Sequence, residues 1–298
     1  MAAEFHAGER AVQERARVTE IADRVGRSVH REIPDVAAGF LEAQPFVAVA
    51  TTDAAGHPEA SLLSGPPGIV RVTGPRTLVL DRTPEPRAPA LAAVGRGPSP
   101  VGLIAIDPAT RRRVRINGSA EGDGDRIVVT TEQVFANCPK YLSTREPTAL
   151  DTATPVGDPV VAAELDERDR RALEAADTFF LASTDGTSVD MSHRGGNPGF
   201  VAVHGTSTLS FPDYVGNSMF MTLGNVTVDP GVSLLVVDWD SGDLLQLRGT
   251  ATIDWSVRRA ADAPGAERVV DVAVERIVRV PHGSPLRWRL QALSRFNP

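Results

Sequence analysis

The sequence predicts a mainly β protein with flanking helices (α+β), built as two like antiparallel barrels in tandem. Three observations carry this. The two halves repeat: Pro67-Gly68-Ile69-Val70 precedes Pro198-Gly199-Phe200-Val201 by 131 residues, and the same offset pairs Thr77-Leu78 with Thr208-Leu209, Asp107 with Asp238 and Gly118 with Gly249. A period this long marks a duplicated domain and not a solenoid. Each half also holds about six short apolar runs separated by turn residues, the pattern of a small antiparallel barrel or sandwich. Between the halves, residues 143–160 are rich in Pro, Thr and Asp and read as a linker.

The elements follow in order. Residues 7–32 place Val12, Ala16, Val18, Ile21, Val25 and Val29 at helical spacing, with a charged outer face and Pro34 just past the end. "PFVAVATTD" (45–53) reads as a strand, "AGHPEA" as a turn and "SLLSG" as a strand end. "IVRV" and "TLVL" are two further strands around Gly74-Pro75, and "VGLIAID" with "RVRINGSAEG" forms a hairpin around "PAT". "IVVTTEQVFANCPKYL" starts as a strand and is expected to turn helical. In the second half, "FPDYVGNSMFMTLGN" (211–225) runs from a strand end through a polar turn into a helix. The resulting division is an N-terminal helical segment 1–34, a first repeat 35–142, a linker 143–160 and a second repeat 161–298.

Composition limits the function classes. An apolar share of 42% and a charged share of 23% are those of a globular chain with a sizeable core. The net charge of −7 argues against a general nucleic-acid or acidic-membrane binder, while leaving room for a local basic pocket. No apolar run approaches the roughly 18 residues of a membrane helix, and "MAAEFHAGERAVQERARV" lacks a signal-peptide core, so a cytoplasmic location is expected. Cys138 is alone, which excludes an internal disulfide, and the six histidines are scattered without zinc spacing. Lys140 is the single lysine in a chain that otherwise uses arginine.

Residues 192–200, "SHRGGNPGF", place a cation and a run of backbone N–H groups between two strands. Such a loop suits a phosphate or an electron-rich ring, and equally a tight turn with solvated His193 and Arg194. Asn217 and Ser218 fall near a helix N-terminus, which favours anions. Cys138 has no sequence-adjacent base to activate it and reads as a structural thiol or a nucleophile. Lys140 reads as a phosphate or substrate cation or as a surface lysine.

The stretches "LLSGPPG" (62–68), "NGSAE" (117–121), "FANCPKYL" (135–142), "ADTFFLAS" (176–183), "SHRGGNPGF", "PDYVGNSMFMTLGN" (212–225), "DLLQLRGTA" (243–251), "GAER" (265–268) and "PLRW" (285–288) span nearly the whole chain. Together they resemble the pyridoxamine 5′-phosphate oxidase-like, FMN-binding split-barrel proteins, most nearly a two-repeat flavin-nucleotide-binding branch. The resemblance implies tandem split barrels forming an intrachain pseudo-dimer, FMN at the barrel–barrel interface and flavin redox chemistry on a small molecule. It implies that Ser192, His193 and Arg194 face the flavin ring and ribityl chain, that Gly195 also belongs to the cofactor-binding set, and that Asp213, Tyr214, Asn217 and Ser218 lie near the phosphate. Ser218 stands where simpler relatives often carry Arg or Lys. Trp288 would cover a ring face or serve as a core aromatic, and Arg287 would supply charge. Asp213 reads as a turn cap or a cofactor contact.

An oxidoreductase and a non-catalytic flavin carrier or sensor both follow from this resemblance, and it extends to deazaflavin- and haem-binding split barrels. Without a Rossmann fingerprint, an external reductase is the expected electron source. Oligomerisation beyond the pseudo-dimer is compatible with the sequence. The repeat further predicts one FMN per chain, because the offset sets His193 and Arg194 against Leu62 and Leu63, and Asn217 against Pro86. Against this, Arg82 and Arg87 fall opposite Asp213 and Ser218, with Glu85 between them.

Overall fold

The computed structural model describes residues 4–81, 91, 94–136 and 139–298. The first seven strands are β1 (Phe46–Thr52), β2 (Pro58–Ser64), β3 (Val70–Gly74), β4 (Thr77–Asp81), β5 (Ser99–Asp107), β6 (Arg112–Asp123) and β7 (Arg126–Ala136). They form one sheet in the order β2-β1-β5-β6-β7-β4-β3. After β8 (Thr144–Leu150) and β9 (Val160–Ala162) come β10 (Thr178–Thr184), β11 (Val189–Gly195), β12 (Ala202–His204), β13 (Thr208–Tyr214), β14 (Gly231–Val237), β15 (Leu244–Asp254), β16 (Ala266–Val280) and β17 (Leu286–Ala292). The second sheet runs β11-β10-β14-β15-β16-β13-β12, the same path strand for strand, and every pairing is antiparallel. The fold is a tandem of two split barrels in one chain, mainly β with flanking helices.

Register confirms the duplication. Val101 faces Gly118 in the first sheet and Val232 faces Gly249 in the second. Both sheets bulge at that glycine, between Asn117 and Gly118 and between Arg248 and Gly249. A Cβ on Gly118 would overlap the Thr130 carbonyl oxygen, and one on Gly249 that of Ala273. The matched glycines are therefore the residues that let the next strand close over a bulge.

Strand chemistry follows from burial on both faces. In β1, Val47 and Val49 enter the core of the first barrel, while Phe46, Ala48 and Ala50 enter a separate cluster between the barrels. In β10, Phe179 and Leu181 face the second core, and Phe180 and Ala182 face the same inter-barrel cluster. Successive side chains point to opposite faces, so a strand covered on both sides becomes a continuous apolar run. The inter-barrel cluster also contains Leu62, Ile104, Met191, Leu235, Leu244 and Trp288.

Three sequence expectations differ from the structure. The N-terminal helix is two helices, Ala7–Arg15 and Thr19–Gly26, broken at Arg17 with φ of 58°. The break lets the first helix dock on the second repeat, through His6 Nε2 and Asn225 Oδ1 at 3.0 Å and Gln13 Nε2 donating to the Met219 carbonyl at 2.9 Å. The segment then returns to the first repeat, where His30 bridges Val134. Secondly, the stretch after β7 does not continue as a helix: residues 139–142 form a turn, and Cys138 lies outside the described residues. Thirdly, the Pro-, Thr- and Asp-rich connection is not bare linker, because β8 within it pairs with β17. No described helix is long and apolar enough to cross a membrane.

Candidate functional site

A cleft opens where the two barrels meet. Arg113 and Arg115 on β6 and the Lys140-Tyr141 segment form one wall. Ser192, His193, Arg194 and Gly195 at the end of β11, with Phe200, Pro212, Tyr214, Gly216 and Asn217, form the other. Among the described residues four cations line it and no carboxylate does. The enclosed space is about 110 Å³.

Each side chain is held by its element. On β11, His193 shares a face with Val189 and Met191 and is buried between the barrels. The Phe180 ring meets it edge-on at 6.1 Å. Arg113 Nη1 lies 3.4 Å from His193 Nδ1, and Thr178 Oγ1 lies 3.4 Å from Nε2. A guanidinium only donates, so Nδ1 is the acceptor and Nε2–H points at Thr178. Burial first, then Arg113, Arg145 and Arg194, hold the imidazole well below its ordinary pKa of 6.5. His193 is therefore neutral at physiological pH.

The arginines differ in commitment. Arg115 Nε donates to Asp190 Oδ1 at 2.9 Å in a buried ion pair. Arg194 Nη1 meets Asp213 Oδ1 at 2.6 Å, and Arg268 holds the other oxygen of Asp213 at 3.1 Å. Arg194 Nε stays buried without an acceptor. Ser192 is buried and its hydroxyl donates to the Leu181 carbonyl at 3.2 Å. A pair of tyrosines sits at the junction: the Tyr141 and Tyr214 rings are 5.0 Å apart, and the Tyr141 hydroxyl donates to the Val215 carbonyl at 3.0 Å. Burial, with Tyr141 adding to it, raises the Tyr214 phenol above its usual pKa.

The structure gathers Lys140, Ser192, His193, Arg194, Gly195, Tyr214 and Asn217 around this cleft, and leaves four other expected residues outside its lining. Asp213 is neither a turn cap nor on the cleft surface; it is the buried anchor of Arg194. Ser218 stands beside the cleft with φ of 63°, and no residue of the helix Met221–Val228 lines it. Trp288 packs in the inter-barrel cluster, its ring 6.2 Å from Phe46 and 6.5 Å from Trp239. Arg287 donates to the Ser284 carbonyl at 2.7 Å and pairs with Asp151. Register explains both placements, Trp288 taking the core role that was one of its two readings, since β17 pairs with β8 and is drawn away from the cleft. The loop glycines also have a different cause from ligand approach: a Cβ on Gly195 would overlap the Tyr141 carbonyl oxygen, so its close neighbour is the chain itself.

Arg113, Arg115, Tyr141 and Phe200 were not among the expected site residues. The first three come from the other repeat, so no local motif links them to β11. One signal was present: the 131-residue offset sets Arg113 against Leu244 and Arg115 against Gln246, cations in one copy only.

The donor set fits a phosphate. It offers four cations and, among the described residues, no carboxylate on the lining itself. The enclosed volume is smaller than the roughly 300–1,000 Å³ of sites that envelop drug-sized ligands, so the fit is to the phosphate end of a nucleotide and not to a whole three-ring flavin. Among the described residues no cluster of His, Cys, Asp and Glu is arranged to hold a metal ion.

No protein-family profile matches the sequence, and a search of curated proteins returns no significant match. Solved structures do show likeness. HupZ of Group A Streptococcus is 15% identical with a TM-score of 0.34, over 40% of this chain and 98% of that one. A putative pyridoxamine 5′-phosphate oxidase from Lactobacillus delbrueckii is 18% identical with a TM-score of 0.31, over 38% and 93%. An F420 reductase is 18% identical with a TM-score of 0.27, over 35% and 90%.

Proposed function

We propose that the inter-barrel cleft binds the phosphate end of FMN and that the chain is a flavin-dependent oxidoreductase acting on a small molecule. The observation that supports this is the lining of Arg113, Arg115, Lys140 and Arg194 with no carboxylate among the described residues of the cleft surface, Arg115 and Arg194 being fixed from behind by Asp190 and Asp213. Arg113, Lys140 and Arg194 would hold the phosphate; bound FMN would supply electron transfer, and the protein orientation and charge. His193, neutral with its Nε2–H on Thr178, lines the same cleft and would be a group able to give or take a proton there. An external reductase would deliver the electrons. A deazaflavin with a phosphate-bearing side chain is the second reading, favoured by the same cation set, and the visible spectrum of the purified protein separates the two.

The test is FMN titration of the parent and Arg194→Ala. Loss of a charge-assisted contact of about 1.5–3 kcal/mol weakens binding roughly ten- to a hundredfold. Asp213 keeps Arg268 as a partner in the variant, so the fold is expected to survive. Equal affinity in a folded variant would reject the assignment. Reduction by NADH or NADPH, followed by stopped flow with and without a reductase, distinguishes an enzyme from a carrier.

A further inference from the structure

The cleft wall that carries Tyr214 and Asn217 continues into a turn of a kind that ordinary side chains resist. Ser218 and Phe220 have φ of 63° and 59°, in the left-handed region, and neither is glycine. Such backbone persists only where its surroundings hold it. Between them stands Met219, which is buried, and both of its backbone polar groups are engaged. Its N–H donates to Oδ1 of Asn217, a residue that lines the cleft, at 3.1 Å. Its carbonyl accepts from Gln13 Nε2 at 2.9 Å.

Gln13 is fully buried, belongs to the first helix, Ala7–Arg15, and lies 206 positions from Met219 in the chain. No residue of that helix lines the cleft. Arg10 Nη1 lies 3.0 Å from Gln13 Oε1 and 2.7 Å from Asp23 Oδ1. A guanidinium only donates, so Arg10 fixes which end of the Gln13 amide faces Met219. The helix also sits directly on Met221–Val228, the helix that follows the turn. A Cβ on Gly8 would overlap the Gly224 carbonyl oxygen, and one on Gly224 the backbone of Glu9. The buried amide is thus satisfied at both ends, and its donor is committed to the one carbonyl that stands between two left-handed residues.

We propose that Gln13 is a positioning residue for the cleft. Acting through the Met219 carbonyl, it holds the turn 217–220 in the conformation that presents Asn217, so that affinity at the cleft depends on a docked N-terminal helix. Only the choice of FMN as probe rests on the phosphate reading of the cleft; the turn and its clamp do not.

The experiment compares the full chain with Gln13→Met, which keeps the length and packing of the side chain and removes the donor. Hydrogen exchange is followed by mass spectrometry on peptides spanning 214–225 and, as the reference, 231–237 of β14. Exchange in 214–225 should be about fivefold or more faster in the variant, with 231–237 as in the parent. A side chain that only stabilises the fold would speed both peptides or neither. The folded variant should also bind FMN roughly two- to tenfold more weakly. Exchange in 214–225 that is unchanged, or that rises together with 231–237, overturns the proposal, as does equal FMN affinity where the parent binds FMN. If the parent binds no FMN, the phosphate reading fails and the exchange comparison alone decides the role of Gln13. Should Gln13→Met not fold, Arg10→Ala removes the partly exposed donor that orients the amide; a smaller local rise in 214–225 is then expected, and no rise overturns the proposal.

Discussion

At the residue scale, burial and charge set two pKa values in opposite directions. His193 is held below 6.5 by burial and three arginines. The unfolded state then binds more protons just below pH 6.5, so His193 favours the fold above that pH and this contribution is lost as pH falls towards the depressed value. An anion placed beside Arg113 and Arg194 in the cleft offsets their charge and raises the imidazole pKa. Sulfate, which has no titrating proton in this range, should therefore bind with proton uptake and more tightly as pH falls, read by calorimetry in two buffers of different ionisation heat. Absence of uptake would mean that no anion lodges beside His193. Glu9 runs the other way. Buried against the second repeat, near Asp190 and Asp185 and with Arg115 only partly offsetting them, its pKa is raised from 4.5 to about 7. The folded state holds the extra proton, so stability is full below pH 4.5 and falls as pH rises through 7. The difference corresponds to about 3 kcal/mol. Glu9→Gln retains an oxygen for the His6 N–H, which Glu9 accepts at 2.8 Å. Urea unfolding at pH 8 should find this variant more stable than the parent, and at pH 4.5 the difference should nearly vanish.

At the element scale, the repeated bulge ties sequence to register. Gly249→Ala places a methyl group on the Ala273 carbonyl, and Gly118→Ala does the same at Thr130. Each should cost about 1–3 kcal/mol, seen as a lower denaturation midpoint with an unchanged slope; a neutral effect in both would mean that the bulge relaxes freely. Most strands were legible because their apolar runs are bounded by turn residues, and the hairpin around "PAT" appears as β5–β6. The N-terminal helix was legible in period but not in its break, because the turn at Arg17 serves contacts with residues 219 and 225, some two hundred positions away. The pairing of β8 with β17 was invisible for the same reason. The loop "SHRGGNPGF" was legible as special, yet the cause read into Gly195 was a ligand, whereas the structure puts the Tyr141 carbonyl there.

At the scale of the whole molecule, two like barrels no longer present like faces. Leu62 and Leu63, opposite His193 and Arg194 in the repeat, are fully buried, and Leu244 replaces Arg113. Arg82, Glu85, Pro86 and Arg87 lie outside the described residues. One FMN per chain is the expected stoichiometry, measured as flavin released on denaturation after full reconstitution; a ratio near two would restore a second site, and a ratio near zero would remove the flavin proposal. The sequence by itself determined the duplication, the β character and the matched pair Gly118 and Gly249. These are local patterns, or patterns at one fixed offset, and a linear string records them. Only the tertiary structure decided that Arg113, Arg115 and Tyr141 complete the cleft, that Asp213 is buried beneath Arg194, and that Trp288 joins the inter-barrel cluster. Those outcomes depend on which faces two twisted sheets turn towards each other, and that is fixed by packing between residues far apart in the chain.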